Sequence, residues 1–113
     1  MKIAIIGSRN LTAENLGEYL PPECTEIVSG GAKGIDSCAA DYARTNGLIL
    51  TEFLPDYQKY GRGAPLIRNK QIVDYADLVI AFWDGKSKGT KFTVDYAKKQ
   101  GKTVKILTKK PQN

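Results

Sequence analysis

A chain of 113 residues is long enough for one packed core and too short for two. Its 42% hydrophobic content excludes gross disorder, and a net charge of +5 suits anionic partners while also being an ordinary solubility charge. The complete lack of histidine removes every imidazole base and every Ser-His or Cys-His pair, so any chemistry must use carboxylates, Arg, Lys, hydroxyls or a supplied metal.

In chain order, Ile3–Ile6 is a continuous apolar run ended by Gly7, the pattern of a central strand buried on both faces. Four apolar residues are too few for a signal-peptide core, and no later segment approaches a membrane span. A soluble, cytoplasmic protein without a membrane partner is expected. Thr12–Leu20 reads as a short helix with Leu16, Tyr19 and Leu20 on one face, stopped by Pro21-Pro22. Glu26–Ser29 is a second strand, ended by Gly30-Gly31. Gly34 to Asn46 is the clearest helix, with Ile35, Cys38, Ala39 and Tyr42 at helical spacing and Gly47 as its stop.

Leu48–Phe53 is the third strand, and Pro55 to Pro65 a polar, aromatic loop carrying Tyr57, Tyr60 and Arg62. A helix follows from Leu66 to Tyr75, then a strongly apolar strand over Asp77–Phe82. Thr90–Gln100 is the last helix, Thr103–Leu107 the fifth strand, and Lys109–Asn113 a polar tail beyond a single domain of residues 1–108. Cys24 and Cys38 have neither Cys-x-x-Cys spacing nor a histidine to complete a metal site, so both read as free thiols. Cys38 falls at an apolar helical position where a small buried residue is expected.

Strands alternating with helices predict an α/β fold. The expected form is a Rossmann-like three-layer sandwich with a five-stranded parallel sheet in the order 3-2-1-4-5. Ligands in such sheets bind outside the carboxyl ends of the strands, where the order reverses between strands 1 and 4. That rule selects three loops: Gly7-Ser8-Arg9, then Ser29-Gly30-Gly31-Ala32-Lys33-Gly34-Ile35-Asp36, then Trp83-Asp84-Gly85-Lys86-Ser87-Lys88-Gly89-Thr90. Glycines let backbone amides approach an anion at a helix start, hydroxyls of Ser8, Ser87 and Thr90 add donors, and Arg9 and Lys33 add positive charge. Gly30-Gly31 and Gly89-Thr90 read as phosphate-binding turns, whereas Gly34 reads as the start of a helix.

Asp36 either neutralises a helix dipole or accepts a ribose hydroxyl. Asn69 shares the apolar face of Leu66 and Val73 and reads as structural, while Arg68 points about a hundred degrees away as a ligand contact. Trp83, and less so Tyr57 and Tyr60, could stack on a base. The late lysines Lys98, Lys99, Lys102, Lys105, Lys109 and Lys110 form either a nucleic-acid surface or a solvated face.

Taken together, Ser29-Gly30-Gly31-Ala32-Lys33-Gly34-Ile35-Asp36, Arg68-Asn69, the Ala76–Ile80 strand and Lys88-Gly89-Thr90 with Thr93 resemble the SLOG superfamily. That superfamily joins the DNA-processing protein DprA to the LOG phosphoribohydrolases, and the small single-domain YspA-like branch is the nearest in pattern. The resemblance runs from Lys2 to about Leu107 and implies a Rossmann-like fold with nucleotide-related ligands. LOG enzymes cleave nucleoside monophosphates with an Arg and a Glu set in Pro-Gly-Gly-x-Gly-Thr-x-x-Glu. Here Gly89-Thr90 match and Arg68 corresponds to the Arg, but Lys86-Ser87 replace the paired glycines and Thr93 stands at the Glu. Thr93 is closer to the DprA pattern, which implies single-stranded DNA binding; the additional DprA domains are missing, so any nucleic-acid binding is expected to be weak and salt-dependent.

The preferred expectation is a binding protein without catalysis, holding a nucleotide-derived signal such as an ADP-ribose-like or cyclic nucleotide. It would act as a sensor or sequestering protein in phage or bacterial defence. No cofactor and no metal are expected, and the resemblance implies a homodimer.

Overall fold

The computed structural model describes residues 1–108, so the expected polar tail at 109–113 lies outside the described residues. Five strands, β1 (Lys2–Gly7), β2 (Glu26–Ser29), β3 (Ile49–Glu52), β4 (Leu78–Trp83) and β5 (Thr103–Thr108), form one sheet. All neighbouring pairs are parallel, in the order β3-β2-β1-β4-β5. This is the expected α/β, Rossmann-like architecture. Helix α1 (Ile35–Thr45) packs on one face, α3 (Ala64–Tyr75) and α4 (Lys88–Lys99) on the other, and a single turn α2 (Tyr57–Tyr60) precedes α3.

The two-sided packing explains the unbroken apolar runs. Ile3 and Ile5 of β1, Ile27 of β2 and Ile80 and Phe82 of β4 meet Ile35, Ala39 and Ala43 of α1. Ala4, Ile6, Val28, Val79 and Ala81 point the other way, onto Ile72 and Val73 of α3 and Val94 and Ala97 of α4. Alternate residues of one strand thus serve two cores, so neither face leaves a polar signature in the sequence. Among the described residues no helix is long and apolar enough to cross a membrane.

The strand ends and the ends of α1 differ from expectation by at most one residue, and the larger differences lie in the helical segments. The Thr12–Leu20 helix is reduced to a 3-10 turn at Leu16–Tyr19 whose preceding Asn15 makes no side-chain cap. Gly17 and the Pro21-Pro22 stop leave too few good helix formers to offset nucleation, and the segment is instead anchored by buried Leu11, Ala13 and Leu16. The Pro55 to Pro65 loop contains α2, started by the Asp56 carboxylate accepting the Lys59 amide at 3.1 Å. Pro65 belongs to the first turn of α3, where its missing N–H costs nothing.

The last helix begins at Lys88 rather than Thr90, because the Ser87 hydroxyl caps it by accepting the Thr90 amide at 3.3 Å. Ser87→Ala should lower stability by about 1 kcal/mol, read from urea unfolding; an unchanged midpoint would show the cap to be idle. Cys38 is only partly buried, at the margin of the α1 cluster.

The most consequential difference lies in α3. Leu66 is 41% exposed, while Arg68 is only 7% exposed and shares the inward stripe with Ala64 and Ile72. Of the face expected to hold Leu66, Asn69 and Val73, Val73 is fully buried and Asn69 half-buried, but Leu66 turns outward, and an arginine takes an inward position beside Ala64 and Ile72. Lys102, one of the late lysines, folds back and donates to the Ala76 carbonyl at 2.6 Å just past α3; Lys98, Lys99 and Lys105 are exposed.

Candidate functional site

Above the carboxyl ends of β1 and β4 lies a crevice of about 410 Å³. Its floor is Ile6, Gly7, Ser8, Arg9 and Asn10, following β1. One wall is Ala32 and Asp36 at the start of α1; another is Pro65, Leu66, Arg68, Asn69 and Ile72 of α3. Asp84, Ser87, Gly89, Thr90 and Thr93 close it from the start of α4. A cavity of this volume at the switch point between β1 and β4 is within the range of small-molecule sites.

Of the residues expected from sequence, Gly7, Ser8, Arg9, Asp36, Arg68, Asn69, Asp84, Ser87, Gly89 and Thr90 line this crevice. Ser29, Gly30, Gly31, Lys33, Trp83 and Gly85 do not, each for a visible reason. Ser29 is wholly buried, and its hydroxyl has no partner among the described residues. Lys33 is exposed. Gly31 and Gly85 have φ of 70° and 84° and serve the turns themselves. Trp83 donates its indole N–H to the Ser87 carbonyl at 3.0 Å, pinning the loop before α4.

Gly30 is the instructive case. A Cβ there would sit 2.5 Å from Arg68 Nη1 and 2.9 Å from Asp36 Oδ2. The missing side chain seats the guanidinium beside the carboxylate; it does not bring backbone up to a ligand. Gly89 is the opposite: apart from its chain neighbours and the backbone of its own helix, nothing lies within 4 Å of a Cβ built there, its φ is not positive, and it lines the crevice.

Arg68 crosses from α3 to the end of β2. Its Nη1 donates to the Gly30 carbonyl and, at 3.5 Å, to that of Phe53, while Nε donates to Asn69 Oδ1 at 2.9 Å. Asn69 thus orients the arginine. The remaining nitrogen, Nη2, has no hydrogen-bond partner among the described residues, and Arg68 lines the crevice. A buried guanidinium with one edge fixed and one edge open is a positioned hydrogen-bond donor for an anion. On the facing wall, the first turn of α4 leaves the Lys88 and Gly89 amides without intrahelical acceptors.

The two carboxylates differ. Asp84 accepts the Lys86 and Ser87 amides, each at 2.8 Å, and those bonds hold its carboxyl below the ordinary aspartate value. Asp36, 8% exposed, is pushed above that value by burial, against the opposing pull of the Ala32 amide at 3.2 Å and the Arg68 charge. Between the ordinary and the raised value the folded chain binds more protons than the unfolded one, so Asp36 costs stability as pH rises through that window. Urea unfolding from pH 4 to 7 should therefore show Asp36→Asn gaining on the wild type as pH rises. A difference that shrinks with pH would reverse the assignment.

Asn10, Ala32, Pro65, Leu66, Ile72 and Thr93 also line the crevice. Asn10 was foreshadowed only by adjacency to Arg9, and the α3 residues by nothing local. Thr93 donates its hydroxyl to the Gly89 carbonyl at 2.8 Å.

No family model and no solved structure matches the sequence. The chain is 35% identical over 91 residues to the Gene 61 protein of Mycobacterium phage D29, covering 75% of this chain and 73% of that protein. The chain belongs to the Gene 61 protein family. The crevice described above is accordingly a site carried by a Gene 61 family member with a Rossmann-like sheet.

Proposed function

We propose that this Gene 61 family member binds a phosphate-bearing, nucleotide-type ligand in the crevice and acts as a sensor or sequestering protein of the SLOG type, without turning the ligand over. The observation that carries the reading is Arg68, held by the Gly30 and Phe53 carbonyls and Asn69 with Nη2 left over in a crevice that the α4 amino terminus also faces. A phosphate between them would meet a charged fork on one side and helix amides on the other. A relative encoded by a phage suits a role where phage and host contend over nucleotide signals.

Catalysis is disfavoured because Thr93 offers no carboxylate and spends its hydroxyl on its own helix. Native mass spectrometry with mononucleotides, ADP-ribose, NAD and cyclic nucleotides tests the reading. An intact ligand at fixed stoichiometry supports it, and no binding to any member overturns it in favour of single-stranded DNA.

One observation favours a second reading, hydrolysis of nucleoside monophosphates: Asp36 lines the same crevice as Arg68 with its carboxyl raised above the ordinary value. Free base with ribose phosphate in the same samples would establish it.

A further inference from the structure

Resting on the phosphate-binding reading, the geometry points to Asp36 as the residue that sets the charge of the accepted anion. The crevice favours the singly charged oxygens of a phosphodiester or pyrophosphate linkage and disfavours a doubly charged terminal phosphate.

The fixed charges of the crevice nearly cancel. Arg9 and Arg68 line it, and so do Asp36 and Asp84. Asp84 is answered locally by two backbone amides, so the balance rests on buried Arg68, on exposed Arg9, which acts on Arg68 as a second positive charge, and on Asp36, a net charge of one positive. Arg68 and Asp36 flank the same point above Gly30, yet form no direct ion pair. Asp36 is therefore close enough to share the guanidinium's charge but does not occupy its open Nη2. Besides Arg68 it faces Glu52 of β3, a second negative charge, and two backbone amides that favour its charged form, that of Ala32, which donates to it at 3.2 Å, and that of Gly30. An anion on Nη2 must share the buried guanidinium with a carboxylate whose other favourable contacts are neutral backbone amides.

One negative charge on the ligand leaves that cluster near balance. A second is unopposed and repels Asp36 in a weakly screened site. It is accepted only when Asp36 takes up a proton, after which the carboxyl becomes a donor to the ligand.

Sulfate and methyl sulfate are the probes, because they are close in shape, differ by one charge, and neither titrates between pH 5 and 8. Binding is read from amide shifts of Gly89 and Thr90 at constant ionic strength, and the protonation of Asp36 from its carboxyl carbon shift. At pH 7.5 the wild type should bind methyl sulfate at least as well as sulfate. Sulfate affinity should rise on the order of tenfold as Asp36 protonates, and sulfate should raise the Asp36 midpoint. Asp36→Asn should reverse the preference and flatten the pH dependence, while the midpoint shift in the wild type tests the same point without relying on the variant.

Sulfate favoured at pH 7.5 with an unmoved Asp36 midpoint would overturn this inference and leave the phosphate site standing. No shift at Gly89 or Thr90 with either probe would overturn the site itself.

Discussion

Arg68→Ala should abolish ligand binding, by about 100-fold or more, and lower folding stability by roughly 3 kcal/mol. The stability loss follows from what the guanidinium satisfies. Without it the Gly30 carbonyl loses its buried donor, the Phe53 carbonyl loses a weaker one, and Asp36 is left beside Glu52 with no opposing charge. A domain of this size has enough reserve to remain folded, so binding and stability are separately measurable by calorimetry and urea unfolding.

Arg68→Lys keeps a charge but offers a single point donor in place of a fork, and should recover part of the stability without recovering the ligand. Combining Arg68→Ala with Asp36→Asn should cost less than the two changes summed, because each removes the other's unpaired charge. Full ligand affinity in a folded Arg68→Ala protein would remove the residue from the site.

Gly89→Val should separate the two properties in the other direction. Apart from its chain neighbours and the backbone of its own helix, nothing lies within 4 Å of a Cβ at this position and φ is not positive, so the fold has no need of glycine there. Glycine in a helix costs up to about 1 kcal/mol relative to alanine, and Gly89→Ala should leave stability equal or several tenths of a kcal/mol higher. Either substitution places carbon over the first-turn amides of α4, and binding should fall at least about tenfold for alanine and further for valine. A glycine that lowers stability and relieves no contact is explained by a ligand that must approach the backbone. Undiminished binding in a stably folded Gly89→Val would refute that explanation.

The same residue type thus carries opposite information at two places. Gly30 and Gly89 looked alike in the sequence, as glycines in loops following strands. Only distances separate them, because Gly30 makes room for a side chain arriving from α3, 38 residues later in the chain. Arg68 was legible as a candidate, but its setting was not. Hydrophobic periodicity assigns an arginine outward, and it turns inward here because carbonyls at the ends of β2 and β3 supply acceptors that the local sequence does not show.

The sequence by itself determined the sheet. Five apolar runs, each ended by a turn and alternating with helical spacing, point to a right-handed, doubly wound parallel sheet. The expected order, 3-2-1-4-5, is the one observed, with its loops gathered at the switch point between β1 and β4. The starts of α2 and α4 lay within its reach, but the expected boundaries missed both, although Ser87 and Asp56 are local caps whose partners lie three residues on. Tertiary structure alone decided which of the gathered residues face the crevice. It turned Leu66 out and Arg68 in, spent Trp83 on the Ser87 carbonyl, and set Asp36 against Arg68 across Gly30. Local patterns follow from the short-range sterics and hydrogen bonding of neighbouring residues, whereas the direction a buried charge takes depends on partners that only the folded chain brings within reach.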